Sequence, residues 1–324
     1  DLLHSGISET EIEVDLSNTN ILDSQLQMMF AICHPSITAE AQIGLSLRIL
    51  CGFGIEEIAD AFLSNKETIN KRLFRAKEKL RLENVKIEFP GEEDIDSRLE
   101  AVLRTLYLLF SEGYYSASQD VSLRKNLCIE AMRLTCLLLD NDQTNKPPVN
   151  ALLSLMCFHS SRFDARTNDQ GEMVLYDAQD ESLWNRELIG KGEYYLNLAA
   201  KGNVVSKYHL EAAISYWHTK KNGTVEKWES ILQCYNKLLQ LEYSPVAALN
   251  RTYALSKANG KEEAINEAEK LNLSGNHLYY SLLGELYLNI DNTKAKDNLE
   301  KALKLAKSKA DKQTIKIKLA SLLR

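Results

Sequence analysis

The sequence predicts an all-α protein: a helix-turn-helix domain, then a helical domain, then a tetratricopeptide-like helical array. Three observations carry this. Only five prolines and 14 glycines interrupt 324 residues, and apolar residues recur three and four apart almost throughout, which is the period of amphipathic helices rather than of strands. Residues 55–81, IEEIADAFLSNKETINKRLFRAKEKLR, read as two short helices around a tight turn. Beyond residue 205 the sequence repeats itself with a period of 34, the length of a two-helix tetratricopeptide unit.

The N-terminal segment, 1–23, reads as an acidic linker. Residues 1–47 contain no Lys or Arg against seven Asp and Glu. The next segment, 24–87, holds the helix-turn-helix. Its first helix is expected to bury Ile58, Ala59 and Phe62, the turn to fall at Leu63, Ser64 and Asn65, and the chain to restart at Lys66. The second helix then buries Ile69, Leu73 and Ala76, with Leu80 continuing the stripe. That spacing leaves Lys66, Thr68, Asn70, Lys71, Arg72, Arg75 and Lys79 off the buried face, where cations and hydrogen-bonding groups can meet a major groove. The net charge of -6 argues against nucleic acid for the chain as a whole. Within residues 64–86, however, eight basic residues face three acids, and a phosphate backbone senses the local balance. The bland alternative is a solvated helix pair whose outer face is merely charged.

A polar linker, Glu88 to Asp96 (EFPGEEDID), follows, because Pro90 and Gly91 stop the helix; a domain boundary is expected there. The middle domain, 96–204, should hold helices over 97–111, 121–140, 148–162 and 182–201, broken by a polar run at 141–148 and a long loop at 163–181. Around that loop cluster His159, Arg162, Arg166, Asp177, Asp180 and Trp184. Arg and Asp bracketing a helix end commonly form ion pairs that pin a loop, and a tryptophan there is more often core than cage. A ligand or partner pocket built on His159, Arg162, Arg166, Asp180 and Trp184 is the sharper alternative. No nucleophile–base pair, phosphate loop or metal spacing appears anywhere, so neither catalysis, a metal nor a cofactor is expected.

In the C-terminal segment, 205–324, Leu249 pairs with Leu283, Tyr253 with Tyr287, Ile265 with Leu299, Ala268 with Ala302 and Leu271 with Leu305, and Ile231 and Cys234 extend the pattern one repeat earlier. The repeat is degenerate, with Val246 or Tyr280 where tryptophan is usual and Asp291 in place of a turn glycine. Ten Lys or Arg against three acids over 294–324 suit the solvated outer face of a capped solenoid, or a surface for DNA or an acidic partner. Six scattered cysteines without a CxxC pair fit reduced thiols in a cytoplasm. No stretch approaches ~18 uncharged apolar residues and none resembles a secretory signal, so neither membrane insertion nor export is expected.

Residues 24–81, with the CHP at 33–35 and the later stretches FSEGYY, LMCFHSSRFDAR and QDESLWNRELI, resemble region 4 and the helical C-terminal extension of one subgroup of extracytoplasmic-function sigma factors of bacterial RNA polymerase. The resemblance covers nearly the whole chain. It implies docking on the polymerase core and binding of promoter DNA at the −35 element, with the recognition helix starting near Lys66 and Thr68, Asn70, Lys71, Arg72 and Arg75 facing DNA. It further implies that Arg72 or Lys71 meets a guanine, that Arg48 and Glu57 lie nearer the backbone or the polymerase, and that the C-terminal extension regulates docking. The family's region 2, which melts DNA, is not found in the sequence, so this chain alone is expected to bind promoter DNA weakly and not to initiate transcription. Two other classes stay open: a tetratricopeptide-type interaction scaffold with a structural helix-turn-helix, and a ligand-sensing regulator using the middle domain.

Overall fold

The computed structural model describes residues 18–115, 121–166, 174, 176–307 and 309–322. Most of the acidic 1–23 segment therefore lies outside the described residues. All regular structure among the described residues is helical. The chain divides into two compact units, 1–112 and 113–324.

The first unit contains α1 (Asn18–Ile32), α2 (Ala39–Leu45), α3 (Ile55–Ala61), α4 (Lys66–Leu82) and most of α5 (Ile95–Tyr115). Helix α2 runs on into a π-helical turn at Ser46–Leu50. The expected 88–96 linker leads into α5, but the unit continues past it to residue 112. The reason is polar as well as apolar. Arg98 donates to the Phe30 carbonyl at 2.6 Å, and the Thr105 hydroxyl donates to the Gln42 side chain at 2.8 Å. Gln42 is fully buried, and its amide in turn donates to the His34 carbonyl at 2.9 Å. These bonds tie the CHP turn to α5 and satisfy a buried amide that would otherwise be costly. Cys33, the first residue of that turn, is enclosed, and burial pushes its thiol up to about 11.

The second unit contains α6 (Val121–Leu139), α7 (Pro147–Ser160), α8 (Arg186–Ala199), α9 (Lys207–Trp217), α10 (Val225–Leu241), α11 (Pro245–Ala258), α12 (Lys261–Leu271), α13 (His277–Tyr287), α14 (Asn292–Leu305) and α15 (Lys309–Ser321). Helix α7 is its axis: every residue from Val149 to Phe158 is buried, which is the behaviour of a helix apolar all round. Pro147 and Pro148 start it, where their missing N–H groups cost nothing. Helices α6, α8 and α9 pack on it. Gly192 lets α8 come against α7, because a Cβ there would stand 2.6 Å from the Phe158 ring.

From α9 onward each helix packs on the next, as expected of stacked two-helix repeats. The α11/α12 and α13/α14 hairpins follow the 34-residue period. Leu249, Leu283, Ile265, Leu299, Ala268 and Ala302 are all buried, Tyr287 is buried, and Tyr253 packs half-buried against the same core. Leu271 and Leu305 mark the fraying edge: the first is half-buried and the second is exposed. At the α13–α14 crossing, a Cβ on Gly284 would meet Leu299 at 2.6 Å, so close helix approach requires the glycine. No described helix is long and apolar enough to cross a membrane.

Candidate nucleic-acid interface

Helix α3 begins with a one-way cap in which the Gly54 N–H donates to the Glu57 carboxylate at 2.6 Å. Thus Glu57 is committed to its own helix start. Arg48 is likewise committed to its own segment, donating to the Phe53 carbonyl at 2.9 Å. Ile58, Ala59 and Ala61 face inward. The turn then forces Leu63 to φ +47°, a left-handed conformation that costs a side-chain-bearing residue about 1–2 kcal/mol. Its return is hydrogen bonding: Leu63 N–H donates to the Asp60 carbonyl at 3.2 Å and Ser64 N–H to the Ala59 carbonyl at 2.8 Å. Asn65 caps α4 by accepting from the Thr68 N–H at 2.8 Å, a cap worth typically ~1 kcal/mol.

Ile69, Leu73 and Ala76 are the buried stripe of α4. Phe62 and Leu80, expected to be buried, are only half-buried. Phe62 instead lies under the Arg72 guanidinium, 5.6 Å from its ring centroid, an amphipathic arrangement in which the ring shields the cation's stem. Lys66, Thr68, Asn70, Lys71, Arg75 and Lys79 are exposed and Arg72 is half-buried.

Of these cations, Lys66 pairs with Glu56 and Lys71 with Glu67, each at 2.6 Å. Hydrogen bonding to Lys66 holds the Glu56 carboxyl below its ordinary value. Both pairs stand in solvent, where such pairs contribute little and exchange readily for another anion. Arg75 and Lys79 have no carboxylate partner among the described residues.

Helix α4 is one wall of a groove of 440 Å³ lined by Thr68, Lys71, Arg72, Arg75, Ala76 and Lys79. The opposite wall is Ser36, Ile37, Thr38 and Ala41, from the end of the CHP turn and the start of α2. His34 shapes this wall: its Nδ1 lies 2.8 Å from the Ser36 hydroxyl. Thr38 caps α2, its hydroxyl accepting from the Ala41 N–H at 3.4 Å. Glu40 in that first turn is held below the ordinary carboxylate value by a backbone N–H and the Thr38 hydroxyl, with Arg72 adding to the effect. The groove therefore presents four cations and three hydroxyls, a donor set that suits phosphate oxygens. Sequence reasoning found the α4 wall and missed the other, although the Thr38-x-x-Ala41 start of a helix was visible. It also missed Phe74, which projects from α4 at 66% exposure.

The second expected cluster takes a different form. Trp184 is core, as expected, at 3% exposure. Asp180 is exposed and caps the 3-10 turn Glu181–Leu183 by accepting from the Ser182 N–H at 2.8 Å. It does not pair with an arginine. Arg162, 8% exposed, has no carboxylate within ion-pair distance among the described residues. Its guanidinium lies 5.6 Å from the Tyr176 ring centroid, and Arg166 lies 3.8 Å from that of Tyr114. Ring faces thus occupy the place expected of Asp side chains around Arg162. His159 is buried against Tyr114, with ring centroids 4.5 Å apart, and its basicity is suppressed by burial first and then by Arg162. Two further residues join from elements farther along the chain. Lys227 on α10, 1% exposed, donates to the Tyr176 hydroxyl at 3.0 Å and the Lys220 carbonyl at 2.5 Å. Burial lowers its ammonium to about 8. His218 packs on Tyr176 at 5.2 Å, and burial, with Arg162 and Lys227 nearby, brings it down to about 3. A contact between a cation and a ring is worth ~0.5–2 kcal/mol, whereas stripping water from a charge costs several, so the rings alone do not compensate Arg162.

The profile of a family of unknown function, DUF6596, matches residues 98–200. An uncharacterized protein of Rhizobium meliloti (strain 1021) is 32% identical over 315 residues, covering 96% of this chain and 74% of its own length. The chain belongs in one family with that Rhizobium protein, and its residues 98–200 carry the DUF6596 match. No solved structure matches it. The span shared with the DUF6596 profile contains the FSEGYY stretch, the axial helix α7, and His159, Arg162, Arg166 and Trp184. In FSEGYY the glycine has a packing reason: a Cβ on Gly113 would stand 2.7 Å from the Arg124 carbonyl, so only glycine lets α6 approach. The α3–α4 pair and the helical repeats fall outside that span, whereas the alignment with the Rhizobium protein covers 96% of the chain. Among the described residues no group of three His, Cys, Asp or Glu is placed to hold a metal ion.

Proposed function

We propose that this protein is a sigma-type transcription factor of the cytoplasm that reads the promoter −35 element with α4 and docks on the RNA polymerase core, with its C-terminal helical unit acting as a fused regulatory or interaction domain. It is a binding protein rather than an enzyme. The observation that carries the reading is the groove of unit 1, where Arg75 and Lys79 stand without carboxylate partners beside Thr68, Ser36 and Thr38. An N-terminal turn bearing Thr68, Asn70, Lys71 and Arg72 could then enter a major groove while Arg75 and Lys79 neutralise phosphates on its edge.

The test is fluorescence anisotropy of the chain with duplexes selected from a randomised pool, repeated over a salt series. The expected log-log slope is roughly −0.9 per neutralised phosphate. Arg75→Ala and Lys79→Ala should each flatten it by about one, and Arg72→Ala should also relax the selected sequence. A slope near zero, or a slope indifferent to these substitutions, leaves the interaction-scaffold reading, which the stacked hairpins α9 to α14 favour in their own right.

A further inference from the structure

The ring of Tyr176 gathers a set of donors that the DNA-reading function does not use. The Arg162 guanidinium is 5.6 Å from its centroid, the Trp184 indole is stacked beside it at 6.4 Å, His218 meets it edge-on at 5.2 Å and the Lys227 ammonium is 5.1 Å away. Lys227 is satisfied by an oxygen on each of two residues. The others are not. Arg162 Nε and Trp184 Nε1 are buried donors without an acceptor, and His218 Nδ1 is a buried ring nitrogen without a partner. Arginine cannot shed its proton to escape this, as a lysine or histidine can.

Buried donors in native proteins are nearly always paired, and these two around one ring, joined by His218 in its Nδ1–H tautomer, share the same missing complement: an acceptor, best a negatively charged one. The carboxylates nearest the cluster, Asp177 and Glu181, act on Tyr176 and Lys227 through their field, yet neither reaches ion-pair distance of Arg162. Their field disfavours a multiply charged guest and favours a singly charged one.

We propose that unit 2 binds a small oxyanion, a carboxylate or a phosphate, on the Arg162 guanidinium, with the Trp184 indole N–H and the His218 imidazole N–H as neighbouring donors. This site is independent of the DNA-reading assignment, and it gives the C-terminal unit a small-molecule input of defined chemistry.

All three tryptophans, Trp184, Trp217 and Trp228, lie in unit 2, so tryptophan fluorescence reports on this unit alone. Thermal unfolding of the full chain, followed by that signal, is titrated with sodium phosphate and separately with sodium acetate, each against sodium chloride at equal ionic strength. A saturable rise in midpoint beyond chloride is expected for at least one anion, and which one responds identifies the ligand class. Arg162→Gln should abolish the saturable part and, without anion, unfold no lower than the parent, because a buried unpaired charge has gone. Arg75→Ala should leave the response intact, separating this site from the basic groove. The proposal is overturned if neither anion exceeds chloride, or if Arg162→Gln responds like the parent. Should Arg162→Gln fail to fold, Trp184→Phe keeps the ring and removes one donor. It should weaken binding roughly 5–10-fold, and unchanged affinity overturns the proposal equally.

Discussion

Arg75 and Lys79 on α4 stand in solvent with no carboxylate partner, whereas Arg162 and Lys227 in unit 2 are more than nine-tenths buried among rings and carbonyls. The same two residue types are used in opposite ways. An exposed cation keeps its hydration, so it can be left unpaired at almost no expense in stability and remains available to a phosphate. A buried one has lost that hydration, and the fold must answer with π faces, carbonyl oxygens and shifted proton affinities. Charge on the surface of this protein is therefore about what it meets, and charge in its interior is about what holds it.

That contrast can be broken most directly at Lys227. Replacing it with Ala removes two hydrogen bonds, leaves the Lys220 carbonyl only the long 3.4 Å bond from the Tyr176 hydroxyl and opens a cavity beside Tyr176. A loss of about 2–4 kcal/mol is expected in urea unfolding followed by tryptophan fluorescence, and a loss below about 1 kcal/mol would show that the buried cation is not structural.

A pH-dependent effect, absent at neutral pH, belongs to His218. Burial, Arg162 and Lys227 bring it from 6.5 to about 3, so the folded protein keeps it neutral. As pH falls below 6.5 the unfolded chain takes up a proton that the folded chain refuses, and stability drops by up to ~1.4 kcal/mol per pH unit. His218→Gln should reduce that slope between pH 6.5 and 4. Parallel curves for the two proteins would remove His218 from the account.

The smallest effect is expected on the exposed side. Arg75→Ala and Lys79→Ala should change unfolding free energy by no more than ~0.5 kcal/mol while weakening DNA binding. A larger destabilisation would mean that the α4 cations hold the first unit together, and the contrast between the two regions would fail.

How legible these two regions were in the sequence follows the same division. The α4 wall is local: one helix, one period, one turn, and its exposed residues follow from Ile69, Leu73 and Ala76 being buried. The helical array is also local, because a 34-residue spacing repeats the same burial pattern. The surroundings of Arg162 are not. Tyr176, His218 and Lys227 come from different elements, brought together by packing that no periodicity encodes. Asp180, adjacent in sequence to this group, was expected as its partner and instead caps its own 3-10 turn. Phe62 shows a milder failure: helical spacing put it in the core, and Arg72 draws it to the rim.

The left-handed Leu63 has one more consequence. Its side chain is 67% exposed, so the corner itself is held by backbone hydrogen bonds and the Asn65 cap, while the buried Ile58, Ala59, Ile69 and Leu73 fix the inner faces of α3 and α4. The corner works as a bracket, and the buried faces supply the glue. Residues on the outer faces of α3 and α4 can therefore be exchanged without re-cutting the joint that holds the pair at its angle.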